Sequence, residues 1–186
     1  MWKNNIMILV EIMQNVKKHS STNLLSLIKL LIYIISLISF VLSFIFDNVY
    51  LIIISIPFIL VLLCFVHEIG HFIGCKIKNK DVKYIKVFSF KYEDNKISII
   101  PGVSFGGVVS FRKDQNNSKI VYALGPIFSL IFTIIVLLLF ILIRANILFV
   151  LLILSIVTLF CVTIPYRGSD IYNLINNGGK SNGKEN

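Results

Sequence analysis

Long apolar runs broken by very short polar turns organise most of the chain. Residues 24–46, 49–77, 120–143 and 147–164 are almost wholly apolar. Each holds close to the ~20 residues a helix needs to cross a bilayer core. Only Asp47-Asn48 separates the first pair, and only Arg144-Ala145-Asn146 separates the second. The pattern therefore predicts two helical hairpins. Pro57 predicts a kink in the second run. Gly70 and Gly74, four residues apart in the same run, predict a close approach by another helix. Ahead of the first run, Ile6, Leu9, Val10, Met13 and Val16 recur at helical spacing, with Asn5, Glu11, Gln14 and Lys18 largely opposite. Residues 1–23 read as a helical segment lying in the membrane interface. They carry no long apolar core followed by a small-residue cleavage site, so they are not a signal peptide.

The one sizeable polar stretch is 76–119. Within it, 82–90 alternates imperfectly between apolar and polar residues, 93–96 is turn-like, and 97–100 is a second short strand, which together predict a hairpin. The Gly-rich segment 101–109 is too short to span and reads as re-entrant or as an edge strand packed on protein. The Asn-, Gly- and Lys-rich tail, 176–186, reads as disordered. The fold class is thus an all-α integral membrane protein. It has about four transmembrane helices and a short β-hairpin or re-entrant segment between the second and third. The domain plan is an interfacial segment (1–23), a membrane-embedded domain (24–175) and the tail.

Composition sharpens this picture. The 186 residues are 56% hydrophobic, against 45–50% in a soluble domain. The net charge is +9, which by itself could signal nucleic acid. Most of the Lys residues flank the apolar runs, where they meet lipid headgroups and set orientation, so nucleic acid is not an expected partner and the bilayer is. Lys and Arg crowd residues 76–119 and also occur in the leading segment and the tail, while the two short turns carry only Arg144. The expectation is a multi-pass cell-membrane protein with both termini cytoplasmic. Cys64, Cys75 and Cys161 show no paired spacing, so no disulfide is inferred.

The chemistry lies in the second run, at Phe65-Val66-His67-Glu68-Ile69-Gly70-His71. Residues i and i+4 of a helix share a face, so His67 and His71 can offer two imidazole nitrogens to one metal ion. Glu68, beside them, can take a proton from a water on that ion. A lone histidine on an apolar helix is usually a buried structural residue. Here two of the chain's three histidines fall in one five-residue window with an acid between them. An acidic side chain at membrane depth costs roughly 2.5–3.5 kcal/mol on insertion scales, which demands a compensating partner.

A catalytic zinc takes three protein ligands and a water. Asp47 belongs to the far side, and Glu68 cannot easily be both ligand and base. Asp170 remains, at the same predicted depth as the histidines, with helix capping as its plainer role. Cys75 lies on the face of His67 and His71, and a small buried residue is the simpler reading for it.

These residues resemble the site-2 protease family of intramembrane zinc metalloproteases. Phe65 to His71 matches the family's helix-borne zinc motif. Phe105-Gly106-Gly107-Val108 is similar to its Gly-Gly segment. Leu124-Gly125-Pro126-Ile127-Phe128-Ser129 is similar to its Gly-Pro-x-x-Asn segment. Pro165 followed by Asp170 matches the spacing of its segment ending in Asp-Gly. The resemblance covers roughly 49–175 and implies a minimal member without a PDZ or CBS domain. It implies one zinc ion per chain held by His67, His71 and Asp170, with Glu68 as the catalytic base and Gly106, Gly107 and Ser129 as auxiliary residues. It also implies hydrolysis of a peptide bond in a membrane-embedded or membrane-associated protein or peptide. Ser129 replaces the family's usual Asn, and Ile171 replaces the Gly after the Asp. Those departures supply the alternative, a non-catalytic protease-like membrane protein with an immunity or scaffold role. A zinc transporter ranks last, because the first and third runs contain no His, Asp or Glu.

Overall fold

A computed structural model describes the backbone of residues 2–100, 106–111, 119–166 and 169–176, and the side chains of 24–100, 106–110, 119–166 and 169–175. The expectations for the tail, for the start of the Gly-rich segment at 101–105, and for the side chains of 1–23 lie outside that description.

Helix α1 runs Trp2–Phe46, α2 Val49–Ile77, α3 Lys119–Ile143, α4 Asn146–Thr163 and α5 Asp170–Asn176. Four stretches, Leu24–Phe46 and all of α2, α3 and α4, are long and apolar enough to cross a membrane. The turns between them are as tight as the sequence requires. Asp47 and Arg144 each take the left-handed backbone region, with φ of 44° and 57°. Asn48 then caps α2 by accepting the Tyr50 N–H at 2.8 Å, which satisfies one of the free donors of the first turn. Across the same end, the Asn146 amide donates to Asp47 at 2.7 Å, tying one hairpin's turn to the other's.

Most Leu, Ile and Phe side chains of the four helices point outward, which in a bilayer is the solvated direction. The interior is built from smaller numbers of apolar residues and many small ones. Ile59, Leu63, Val136, Ile147, Leu148 and Leu151 form the main apolar cluster. Ser36, Ser39 and Ser43 of α1, Ser55 of α2 and Ser155 of α4 are all buried. Small residues let helix backbones approach where no hydrophobic force separates protein from lipid. Ser43, Ser55 and Ser155 each donate to a carbonyl of their own helix, so burial leaves these hydroxyls satisfied.

The segment between α2 and α3 is a four-stranded antiparallel sheet rather than a single hairpin: β1 Val82–Val87, β2 Phe90–Glu93, β3 Lys96–Ile99 and β4 Gly107–Phe111, in the order β3-β2-β1-β4. The turn expected at 93–96 is present, and Asp94 and Asn95, with φ of 48° and 60°, give it the type I′ form. The stretch 82–90, read as one strand, breaks at Phe88-Ser89, where Phe88 itself takes a φ of 52°. A Gly or Asn would have announced that turn, and a Phe does not. The Gly-rich expectation of an edge strand matches β4, which closes one side of the sheet. Cys75 of α2, Val109 of β4 and Val121 of α3 form a second buried cluster with Val82 and Ile85 beside it. This cluster clamps the sheet over the end of α2 that carries the histidines. Tyr33 of α1 packs on Phe90 with ring centroids 5.3 Å apart, tying the sheet to the first span as well.

Candidate metal centre

Helices α2 and α3 cross at unusually short range, and glycine makes that possible. A Cβ at Gly70 would lie 2.9 Å from the Gly125 Cα, and one at Gly74 would lie 2.8 Å from the Val121 Cα. Both are closer than any real side chain tolerates. The approach expected from the Gly70–Gly74 pair is therefore made by α3. It brings Gly125 onto the rings of His67 and His71: a Cβ there would sit 2.5 Å from His71 Nε2 and 3.0 Å from His67 Cε1.

Each imidazole is held by its Nδ1. His71 Nδ1 lies 2.7 Å from the Val121 carbonyl oxygen, and His67 Nδ1 lies 3.0 Å from Ser129 Oγ. A carbonyl only accepts, so His71 must donate from Nδ1, which leaves Nε2 as its lone-pair atom. The two Nε2 atoms then face each other at 3.1 Å.

Asp170 completes the group from a third element. The backbone turns after α4, and Ser169 Oγ accepts the Tyr172 N–H at 3.2 Å. Ser169 is thus the cap of α5, and Asp170, one residue on, is spared that role. Its Oδ2 lies 2.8 Å from His67 Nε2 and 3.3 Å from His71 Nε2. An ionised carboxylate is the state a metal ligand needs.

The donor set suits zinc. His67, His71 and Asp170 are the group of side chains among the described residues that could hold a metal. Ligands about 2.0–2.1 Å from a tetrahedral ion stand about 3.3 Å from one another. The separations of 2.8, 3.1 and 3.3 Å lie close to that edge length. Lone pairs and a carboxylate converging on one point are mutually repulsive unless a cation sits among them.

Glu68 lies beside this triangle and is only 4% exposed. Val109 of β4 turns its backbone N–H toward the carboxylate, while Oε2 has no hydrogen-bond partner. A buried carboxylate oxygen left bare is costly, and it is disposed for a proton or a water. Gly107 packs directly on the Glu68 side chain, leaving no room for a Cβ, whereas Gly106 faces open space and takes a φ of +99°. The two glycines thus have separate reasons: one for contact, the other for backbone conformation.

A cavity of about 460 Å³ opens onto these groups. His67, Glu68, His71, Asp170, Gly107 and Ser129 line it, with apolar walls from Leu60, Leu63, Val108 and Val162. All the site residues singled out in the sequence border this one space. Cys75 does not; it is fully buried in the apolar cluster. Sequence reasoning missed the Val121 carbonyl, because every residue carries one, and missed the Ser169 cap that frees Asp170. A Ser immediately before the acid was the available signal for the second.

A family model described as Peptidase family M50 matches residues 55–179. That range contains the two histidines, both glycine pairs, Ser129 and Asp170. No curated protein and no solved structure matches the chain.

Proposed function

Because the chain belongs to peptidase family M50, the site-2 protease family, we propose that it is an intramembrane zinc metalloprotease hydrolysing a peptide bond of a membrane-embedded or membrane-associated protein or peptide. The family is one of zinc metalloproteases, and the apolar helices make the chain a multi-pass membrane protein. The observation that carries the reading is the convergence of His67 Nε2, His71 Nε2 and Asp170 Oδ2 beside a bare, buried Glu68 Oε2.

His67, His71 and Asp170 would hold one zinc ion, which when bound supplies Lewis acidity toward water and toward a carbonyl oxygen. Glu68 is the general base. Its Oε2 takes the proton of the attacking water and later gives it to the leaving amine. A peptide bond within a helix is shielded by its own backbone bonding, so the substrate must enter extended. Strand β4 is an edge strand whose Gly107, Val108 and Val109 line the cavity. Its main chain can pair with such a segment as an added strand. The many basic residues of 76–119 favour cytoplasmic placement for this side of the molecule and for both termini.

The test is Glu68→Gln in the full-length protein. Cleavage of a membrane substrate should vanish while zinc content stays that of wild type. Wild-type cleavage by this variant would remove Glu68 as the base. Wild-type protein that holds zinc yet cleaves no membrane substrate would favour the non-catalytic alternative.

A further inference from the structure

Ser129 stands where the resemblance would place an Asn, and its hydroxyl does something an oxyanion donor does not. We propose that Ser129 is a positioning residue for the metal centre: by accepting the Nδ1–H of His67 it fixes the ring so that Nε2 presents its lone pair to the ion. This rests on the zinc reading above and deepens it.

The hydroxyl has one proton and a choice of acceptors. Ser129 Oγ lies 3.3 Å from the Gly125 carbonyl oxygen, four residues back on α3, and 3.0 Å from His67 Nδ1. A neutral His67 that gives its Nε2 lone pair to the ion carries its proton on Nδ1, so Ser129 Oγ accepts there and turns its own proton to the Gly125 carbonyl. His67 therefore donates from Nδ1, and its Nε2, 2.8 Å from Asp170 Oδ2 and 3.1 Å from His71 Nε2, is the ligand face. His71 reaches the same state through the Val121 carbonyl at 2.7 Å. One ring is oriented by a main-chain oxygen that no substitution removes. The other depends on a side chain.

The plainer reading is a helical serine bonded to its own backbone. The distances show that this bond is not the hydroxyl's closest tie. Ser43, Ser55 and Ser155 make such bonds at 2.7, 2.6 and 2.8 Å, the ordinary O–H···O length. At 3.3 Å the Ser129 bond is stretched, and the hydroxyl leans toward His67. With its proton committed to Gly125, it has none left for a substrate oxyanion, although it borders the cavity. Its effect therefore passes through His67. Groups that orient a ligating histidine in this way typically contribute 10–100-fold to metal affinity.

The experiment measures zinc dissociation constants by chelator competition on the purified full-length protein in detergent, for wild type, Ser129→Ala and Ser129→Thr. The unfolding midpoint of each zinc-free form is recorded alongside. Ser129→Ala should bind zinc about 10–100-fold more weakly with an unchanged midpoint. Ser129→Thr, which keeps the hydroxyl, should stay within about threefold of wild type, given the factor-of-ten scale of the loss it avoids. If Ser129→Ala does not fold, Ser129→Cys replaces it, since a thiol is a weak acceptor of similar size, and carries the same expected loss. Wild-type zinc binding together with an unchanged affinity in the Ala or Cys variant overturns the role of Ser129 and leaves the metal reading standing. Wild type that binds no zinc overturns both.

Discussion

Gly125→Ala sets two effects of opposite sign against each other. In an exposed helix interior the change would help, by about 1 kcal/mol of helix propensity. In this helix the new methyl would lie 2.5 Å from His71 Nε2 and 3.0 Å from His67 Cε1. Unstrained contact begins at about 3.5 Å, so one ring or the α3 backbone must retreat by about 1 Å. The backbone has little freedom, because Gly70 is already against it from the α2 side. The rings are held at Nδ1 by Val121 and Ser129, so retreat costs those bonds as well. Metal sites tolerate ligand displacements of only about 0.2 Å, and a 1 Å misplacement of reacting groups costs on the order of 10²-fold in rate. The substitution should therefore weaken zinc binding by at least about 100-fold, despite the better helix former. Chelator competition on purified protein measures the first quantity, and turnover of a membrane substrate at saturating zinc measures the rest. A variant that binds zinc within threefold of wild type would show that α3 does not press on the rings as described.

Asp170→Ala removes one corner of the ligand triangle and should lose zinc at chelator concentrations that wild type survives; equal retention would leave the two histidines as the whole site. Gly107→Ala drives a methyl into the Glu68 side chain, so cleavage should fall at least about tenfold while zinc affinity stays put, and a parallel loss of zinc would mean that β4 supports the metal rather than the base. With the sheet and both termini on the cytoplasmic side as proposed, a reporter fused at the C-terminus should be active only in its cytoplasm-dependent form.

What could be seen in the sequence follows from physics that acts locally. The span 49–77 coincides with α2 at both ends, because a polar turn precedes it and Lys78, Asn79 and Lys80 follow it. The His67–His71 face needed only helical periodicity. Asp170 could be brought to the same depth by counting spans and charges, and it lies 2.8 Å from His67. Features that depend on long-range contact were invisible. The Phe88 turn carries no turn residue. The Val121 carbonyl has no side-chain signature, and the short helix α5 is set by a Ser169 cap that only three-dimensional context makes meaningful. Ser129 looked like a poor substitute for Asn until its distance to His67 gave it a different task.

The hydrogen bond between Asn146 and Asp47 lies at the end of the bundle remote from the chemistry. At that same end both helical hairpins are closed covalently by their tight turns, so the described helices resemble tongs with the fulcrum at the end away from the site. Any parting of the pairs that admits a polypeptide must then be widest where His67, Glu68 and Asp170 stand, and smallest where the hinge is. Lengthening either turn would slacken the tongs without touching a single reacting atom.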